Sequence, residues 1–126
     1  MICDIANEDR RSVLVVEDDA VLGEAIGLCV EEAGYAVAGV AQSVDAALST
    51  LRCRSVDAAL LDVNLSGELV FAVADALAAR GVPFVFVTGR PASSIPETHR
   101  HRPLVPKPYY DAALCAALAS VLGGSC

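Results

Sequence analysis

The sequence predicts a doubly wound α/β fold, and three observations lead to this prediction. Short apolar runs alternate along the chain with longer stretches of helical periodicity. Three of the runs, SVLVVE, DAALLD and PFVFV, are almost continuously apolar, as expected of strands that a parallel sheet buries on both faces. The 126 residues, of which 55% are hydrophobic, suffice for one domain with a single core. A parallel sheet covered by helices on both faces satisfies all three.

Each element is predicted from its local pattern. Strands are expected at five apolar runs: 12–17, 35–40, 57–62, 83–87 and 103–106. Apolar residues at three- and four-residue spacing predict four helices: 19–33, 43–53, 68–80 and 109–122. Ser43 is expected to cap the second helix and Gly34 to end the first. The segment 91–99, which contains two prolines, is expected to be a short mobile helix or a loop. Five strands alternating with about five helices favour the flavodoxin-like strand order 2-1-3-4-5.

Charge and hydropathy exclude several classes of function. The formal net charge of −7 does not suit a nucleic-acid surface, since phosphate binding needs clustered Lys and Arg. The longest uncharged stretch, residues 112–126, is shorter than the roughly 20 apolar residues of a membrane span. The N-terminus has no basic region followed by an apolar core, so we expect a cytoplasmic protein without a signal peptide. We interpret residues 1–11 as a disordered lead-in, residues 12–122 as the domain and residues 123–126 as a tail.

The five cysteines are expected to be reduced thiols. They are odd in number, widely spaced and without a CxxC pair, which fits neither a metal site nor a disulfide framework. Cys29 and Cys115 are predicted to be small, core-facing residues on helices.

Polar side chains follow the predicted strands at the edge where such sheets bind ligands. Glu17 and Asp18 end the first strand, and Asp62 ends the third. Thr88 and Lys107 end the fourth and fifth. Neighbouring carboxylates repel unless a cation lies between them, and hard oxygen ligands favour Mg²⁺. A metal, a nucleophilic carboxylate, a lysine and a hydroxyl together indicate a phosphoryl-acceptor site.

Other polar residues have structural explanations. Asp19, the third acid after the first strand, is interpreted as the N-cap of the first helix, where an acid also suits the helix dipole. His99 and His101 are interpreted as solvated loop residues. The alternative for the acids is a solvated turn, and for Lys107 it is an edge-strand charge that blocks aggregation.

Four motifs occur in order on these elements: VVEDD (15–19), LLDVN (60–64), VTG (87–89) and KP (107–108). With this ordered set, residues 12–122 resemble a response-regulator receiver domain of a bacterial two-component system. PFVFVTG and the later VPKP further resemble the single-domain receivers of the Phe-Ala-Thr-Gly (FATGUY) subgroup. That subgroup is associated with sensor histidine kinases of the HWE type.

The resemblance implies a phosphoacceptor and a metal site. Asp62 is expected to accept the phosphoryl group from a kinase phosphohistidine. Mg²⁺, with Mn²⁺ as the alternative ion, is expected to bind the carboxylates of Asp18 and Asp62, Glu17 through water, and the backbone carbonyl of Asn64.

The resemblance also implies the residues that contact the phosphoryl group. Lys107 is expected to pair with its oxygens, and the bond from Lys107 to Pro108 is expected to be cis. Thr88 is expected to move and hydrogen-bond the phosphoryl group, while the small Gly89 leaves room for it.

Three positions depart from the family pattern. Leu104 stands where a Tyr or Phe usually swings inward on phosphorylation, so the aromatic half of the switch is missing. Ser66 stands where Pro is common, which loosens the loop after Asp62. Arg90 replaces the Gly or Tyr that the FATGUY subgroup prefers.

We therefore expect a stand-alone receiver that passes its signal, or relays phosphoryl groups, through protein partners. It is not expected to be an enzyme beyond self-catalysed phosphoryl transfer and autodephosphorylation. Ordering of residues 89–102 on phosphorylation is the expected switch. Two alternatives are a degenerate receiver that only binds proteins and a flavodoxin-like cofactor binder. A third is a haloacid-dehalogenase-type phosphatase, in which Asn64 would stand where the acid is needed.

Overall fold

A five-stranded parallel sheet forms the centre of the computed structural model, which describes residues 10–123. Its strands are β1 (Ser12–Val16), β2 (Ala36–Ala41), β3 (Ala58–Leu61), β4 (Phe84–Thr88) and β5 (Leu104–Pro106). They lie in the order β2-β1-β3-β4-β5, and every neighbouring pair is parallel. The predicted fold class and the strand order 2-1-3-4-5 are confirmed.

Four α-helices cover the sheet within the described residues: α1 (Ala20–Glu32), α2 (Val44–Cys53), α3 (Phe71–Ala79) and α4 (Asp111–Leu122). Three of the predicted local signals occur at the ends of α1 and α2. The Asp19 carboxylate accepts hydrogen bonds from the first amides of α1, and the Ser43 hydroxyl caps α2. Gly34 follows α1 with a φ of +98°, a conformation that glycine adopts at little cost.

The core has two layers because alternate residues of each strand face opposite sides of the sheet. Leu14 and Val16 of β1 pack with residues of α2 and α3 on one face. Val13 and Val15 pack with residues of α1 and α4 on the other face. The nearly continuous apolar runs in the sequence reflect this burial on both sides.

A short hairpin follows β3, and its second strand overlaps the first residues of the predicted helix 68–80. Asn64–Leu65 pairs antiparallel with Glu68–Leu69, and the turn between them has positive φ at Ser66 (+55°) and Gly67 (+92°). The helix therefore begins at Phe71 and not at residue 68. The predicted start of the helix was wrong because the Ser-Gly turn reverses the chain and pairs Glu68 and Leu69 with Asn64 and Leu65.

The connection from β4 to β5 contains two 3₁₀ turns, Ala92–Ser94 and Glu97–His99. Each turn directly follows a proline, Pro91 or Pro96, in extended conformation. Because proline interrupts helical hydrogen bonding, the segment stays a loop with short turns, one of the two predicted outcomes. The described residues consequently contain four α-helices where about five were expected.

The described residues begin at Arg10 and end at Gly123. The predicted lead-in (1–11) and tail (123–126) fall outside the described residues, apart from residues 10, 11 and 123. Arg11 is held at the sheet edge, where its carbonyl accepts a hydrogen bond of 2.8 Å from the Ala36 amide. Within residues 10–123 no helix has both the length and the apolar character to cross a membrane.

Candidate functional site

Three strand ends meet at one charged cluster. Glu17 directly follows β1, and Asp62 directly follows the adjacent strand β3. Lys107, directly after β5, places its Nζ 2.8 Å from Glu17 Oε1 and 3.2 Å from Asp62 Oδ2. The parallel sheet thus joins charges that lie 45 and 90 residues apart in the sequence.

The cluster contains more negative than positive charge. Carboxylate oxygens of Glu17, Asp18 and Asp62 lie within 4.8 Å of one another, the only such potential metal-binding group among the described residues. Glu17 is 2% exposed and Asp62 8% exposed, so solvent screens them poorly. Three carboxylates face one ammonium group, and their hard oxygen atoms fit a divalent cation such as Mg²⁺.

Glu17 and Lys107 form an ion pair, and the pKa of each residue is raised above its ordinary value. Burial raises the pKa of Glu17 above its ordinary value of 4.5, although the hydrogen bond from Lys107 opposes the shift. Burial by itself would lower the pKa of Lys107, but hydrogen bonds to Glu17 and Asp62 outweigh it and raise the pKa. Lys107 therefore stays protonated and available to an anion at this site.

Asp18 is held by a residue from the hairpin. The Ser66 hydroxyl donates a hydrogen bond of 2.5 Å to Asp18 Oδ2, and this bond lowers the pKa of Asp18. Ser66 makes this contact from the hairpin turn, where its backbone is left-handed. It was missed at the sequence level. The Ser-Gly pair could have indicated the turn, but nothing local indicates its contact with Asp18.

Asn64 lies two residues beyond Asp62. Its side-chain oxygen accepts a hydrogen bond of 2.8 Å from the Gly67 amide and so stabilises the hairpin turn. Any contact of Asn64 with a metal is therefore left to its backbone carbonyl, as the resemblance implies.

Thr88 and Gly89 lie between the acids and the β4–β5 connection. Thr88 is 1% exposed, and its Oγ1 accepts a hydrogen bond of 3.1 Å from the Arg90 amide. A Cβ added to Gly89 would lie 4.0 Å from Lys107 Cβ, so the two positions are adjacent. The peptide bond from Lys107 to Pro108 is cis, in agreement with the expectation.

In the β4–β5 connection, the position of His99 differs from the one expected from the sequence. His99 was expected to be a solvated loop residue, but it is 4% exposed. Its Nε2 lies 2.7 Å from Asp75 Oδ1 on α3, and its ring packs edge-on against Phe84 and Phe86. Leu104 is half-buried against the same core layer. The second 3₁₀ turn places His99 against these two phenylalanines of β4, and the polar sequence around His99 gives no sign of this burial.

Comparisons with known proteins identify the family of this chain. The model of the response regulator receiver domain family matches residues 13–118. SdrG from Sphingomonas melonis Fr1 is 37% identical over 90% of this chain and 97% of its own, with a TM-score of 0.78. The BeF3-activated conformation of SdrG from Pseudomonas melonis Fr1 is 37% identical over 88% and 95% of the two chains, with a TM-score of 0.75.

A response regulator receiver protein from Burkholderia phymatum is 29% identical over 92% of this chain and 98% of its own, with a TM-score of 0.79. No match was found among the curated proteins. Since the family model covers most of its length, this chain belongs to the response regulator receiver domain family.

Proposed function

We propose that this chain is a phosphoacceptor receiver, in which Asp62 takes a phosphoryl group from the phosphohistidine of a sensor kinase. One observation carries the proposal: Lys107 bridges Glu17 and Asp62 beside Asp18, with the three carboxylates within 4.8 Å of one another. Phosphoryl transfer requires little of a protein beyond a positioned nucleophile and neutralised charge. This cluster supplies both.

The carboxylates are the residues that would hold the ion. Asp18 and Asp62 would hold Mg²⁺, or Mn²⁺, and Glu17 would contribute through water and Asn64 through its backbone carbonyl. When bound, the ion neutralises charge on the phosphoryl oxygens. Ser66 supports this role by orienting the Asp18 carboxylate through its hydrogen bond.

Lys107 and Thr88 bind the phosphoryl oxygens. The Lys107 ammonium already contacts Asp62, so it is in place to pair with an anion attached there. The Thr88 hydroxyl accepts a hydrogen bond from Arg90 and, among the described residues, donates none. Its proton is therefore available to a phosphoryl oxygen.

The signal is read out, we propose, by the β4–β5 segment, which we define as residues 89–102. It begins directly after Thr88, and Leu104 cannot serve as an aromatic switch residue. The phosphoryl group on Asp62, with a charge of about −2, draws Thr88 towards the site and rearranges this segment for a protein partner. The BeF3-activated conformation known for SdrG supports a phosphoryl-responsive receiver.

The sequence motifs are the basis for proposing a subgroup and a type of kinase. PFVFVTG and VPKP support membership of the FATGUY subgroup, with a kinase of the HWE type as donor and a downstream or phosphotransfer protein as acceptor of the signal. The function is signalling or phosphorelay in a two-component system and not independent output enzymology. Cytoplasmic localisation is part of the same proposal.

Incubation with Mg²⁺ and acetyl phosphate, followed by intact mass measurement, tests the phosphoacceptor assignment. We expect one phosphoryl adduct, which EDTA prevents and Asp62→Asn abolishes. Asp45→Asn is the matched control, because Asp45 is an exposed acid in the first turn of α2 and should leave the adduct unchanged.

The outcomes separate the alternatives. Absence of an adduct would indicate a degenerate receiver, and an adduct that survives Asp62→Asn would refute the role of Asp62. Sustained turnover of a phosphate ester would favour the phosphatase, and yellow colour in the purified protein would favour a flavin binder.

A further inference from the structure

Two thiols from distant parts of the sequence lie in contact on the face of the sheet covered by α1 and α4. Cys29 belongs to α1 and Cys115 to α4, and their Sγ atoms are 3.8 Å apart. This is close to the van der Waals contact of two sulfur atoms. A disulfide needs a separation of about 2 Å, so the two sulfurs need to approach by roughly 2 Å.

The two thiols have unequal surroundings. Cys29 is 7% exposed and belongs to the second core layer, with Ile26 and Val30 as neighbours on its own helix. Burial, together with the neighbouring thiol of Cys115, raises the pKa of Cys29 to about 12. Cys115 is only half-buried. Cys115 is therefore the more accessible of the two residues for a small oxidant, while the raised pKa keeps the Cys29 thiol protonated at neutral pH.

We propose that Cys115 and Cys29 are a peroxide-sensitive pair, in which Cys115 is oxidised first and Cys29 closes an intramolecular disulfide. In the first step the Cys115 sulfur attacks hydrogen peroxide. The S–O bond forms, the O–O bond breaks, and the sulfenic acid and one water result. In the second step Cys29 gives up its proton, and the resulting thiolate attacks the Cys115 sulfur. The S–S bond forms, and the hydroxyl leaves with the Cys29 proton as a second water.

The disulfide would join two helices that flank the acidic cluster. α1 begins two residues after Asp18, and α4 begins four residues after Lys107. Cys29 and Cys115 are 86 residues apart, so the bond closes a long loop of the unfolded chain and stabilises the folded protein. This inference does not depend on phosphorylation at Asp62, and either assignment can fail alone.

A variant that retains only this pair gives the cleanest test. In Cys3→Ser/Cys53→Ser/Cys126→Ser, stoichiometric hydrogen peroxide should remove two hydrogen atoms from the intact mass. Dithiothreitol should reverse the change, and peptide mapping should find Cys29 joined to Cys115. The thermal unfolding midpoint of the oxidised protein should exceed that of the reduced protein.

Variants that lack one cysteine of the pair show which thiol is oxidised first and which one closes the disulfide. Adding Cys29→Ala should abolish the disulfide and leave a Cys115 sulfenic acid that dimedone captures. Adding Cys115→Ala should abolish both products. In the natural sequence Cys53→Ser is the matched control, because Cys53 is exposed on α2 and its removal should leave the bond unchanged.

Two results would overturn the proposal. One is a Cys29 thiol that stays free for alkylation after Cys115 has been oxidised to sulfinic acid. The other is a disulfide that forms only between molecules, seen as a dimer on non-reducing gels. Thermal melting of each reduced variant confirms that it is folded before oxidation.

Discussion

Two connections leave the carboxyl edge of the sheet and differ in how firmly the fold holds them. After β1 the chain enters α1 within a few residues, with Asp19 as the cap. After β4 it crosses residues 89–102 with two 3₁₀ turns. Only Ile95 and His99 of this β4–β5 segment are buried.

The difference separates the chemistry of the site from its readout. The acids of the first connection lie in three residues between β1 and α1, and one of them, Asp19, caps the helix. The segment after Thr88 depends on two buried side chains, so it belongs to the low-stability part of the fold that can rearrange at small cost. Four changes test this contrast.

His99→Ala should have the largest effect on stability. It removes the hydrogen bond to Asp75 and the ring contacts with Phe84 and Phe86, which should lower the free energy of unfolding by about 2–4 kcal/mol. Denaturant unfolding measures the loss, and amide hydrogen exchange should show that protection falls in residues 92–102 while α1 stays protected.

His101→Ala is its control, because His101 is exposed. We expect a change within about 0.5 kcal/mol. Equal losses for both histidines would mean that burial of His99 does not anchor the β4–β5 segment.

Ser66→Ala should weaken Mg²⁺ binding by about tenfold, because the hydroxyl that orients Asp18 is lost while the backbone requirement at this position is unchanged. Calorimetric titration of EDTA-treated protein with MgCl₂ measures the affinity. Ser94→Ala removes an exposed hydroxyl from the β4–β5 segment and should have no effect. Tighter binding by Ser66→Ala would show that the hydroxyl competes with the metal.

Asp19→Ala should lower the free energy of unfolding by about 1 kcal/mol, since the first amides of α1 lose their acceptor. Mg²⁺ affinity should stay unchanged, because the Asp19 carboxylate accepts hydrogen bonds from the first amides of α1 and is not one of the three clustered carboxylates. Glu24→Ala, an exposed change on the same helix, is the matched control for stability. A fall in Mg²⁺ affinity would contradict the capping assignment.

Glu17→Gln should produce the smallest effect, a change in the pH dependence of stability. A raised folded-state pKa means that ionised Glu17 is less favourable in the folded than in the unfolded protein. The contribution of Glu17 to the free energy of unfolding is therefore fully present below its ordinary pKa of 4.5. This contribution declines as pH rises through the raised, folded-state pKa. The variant lacks this decline because glutamine does not titrate.

Unfolding in EDTA from about pH 4 to about pH 8, compared between wild type and variant, measures the difference. Asp18, whose pKa is lowered, titrates in both proteins, so its effect on the free energy of unfolding drops out of the comparison. Glu24→Gln should follow wild type. If the free energies of unfolding of wild type and Glu17→Gln differed by the same amount at every pH, burial of Glu17 would not shift its pKa.

The sequence by itself determined the sheet, its order and the residues at the strand ends. Hydrophobic runs mark buried strands, and the caps at Asp19 and Ser43 are local hydrogen-bonding preferences, so one-dimensional patterns carry them. Topology then placed Asp62 beside Lys107, because parallel strands end at one edge. What failed locally was the start of α3, where turn chemistry outweighed helical periodicity.

Only the tertiary structure decided which distant side chains touch. The burial of His99, the bond from Ser66 to Asp18 and the contact of Cys29 with Cys115 each join separate elements. Such contacts depend on the space that neighbouring elements leave and on the rotamer that fills it, since interiors are close-packed. Residue type and spacing along the chain do not encode these distances.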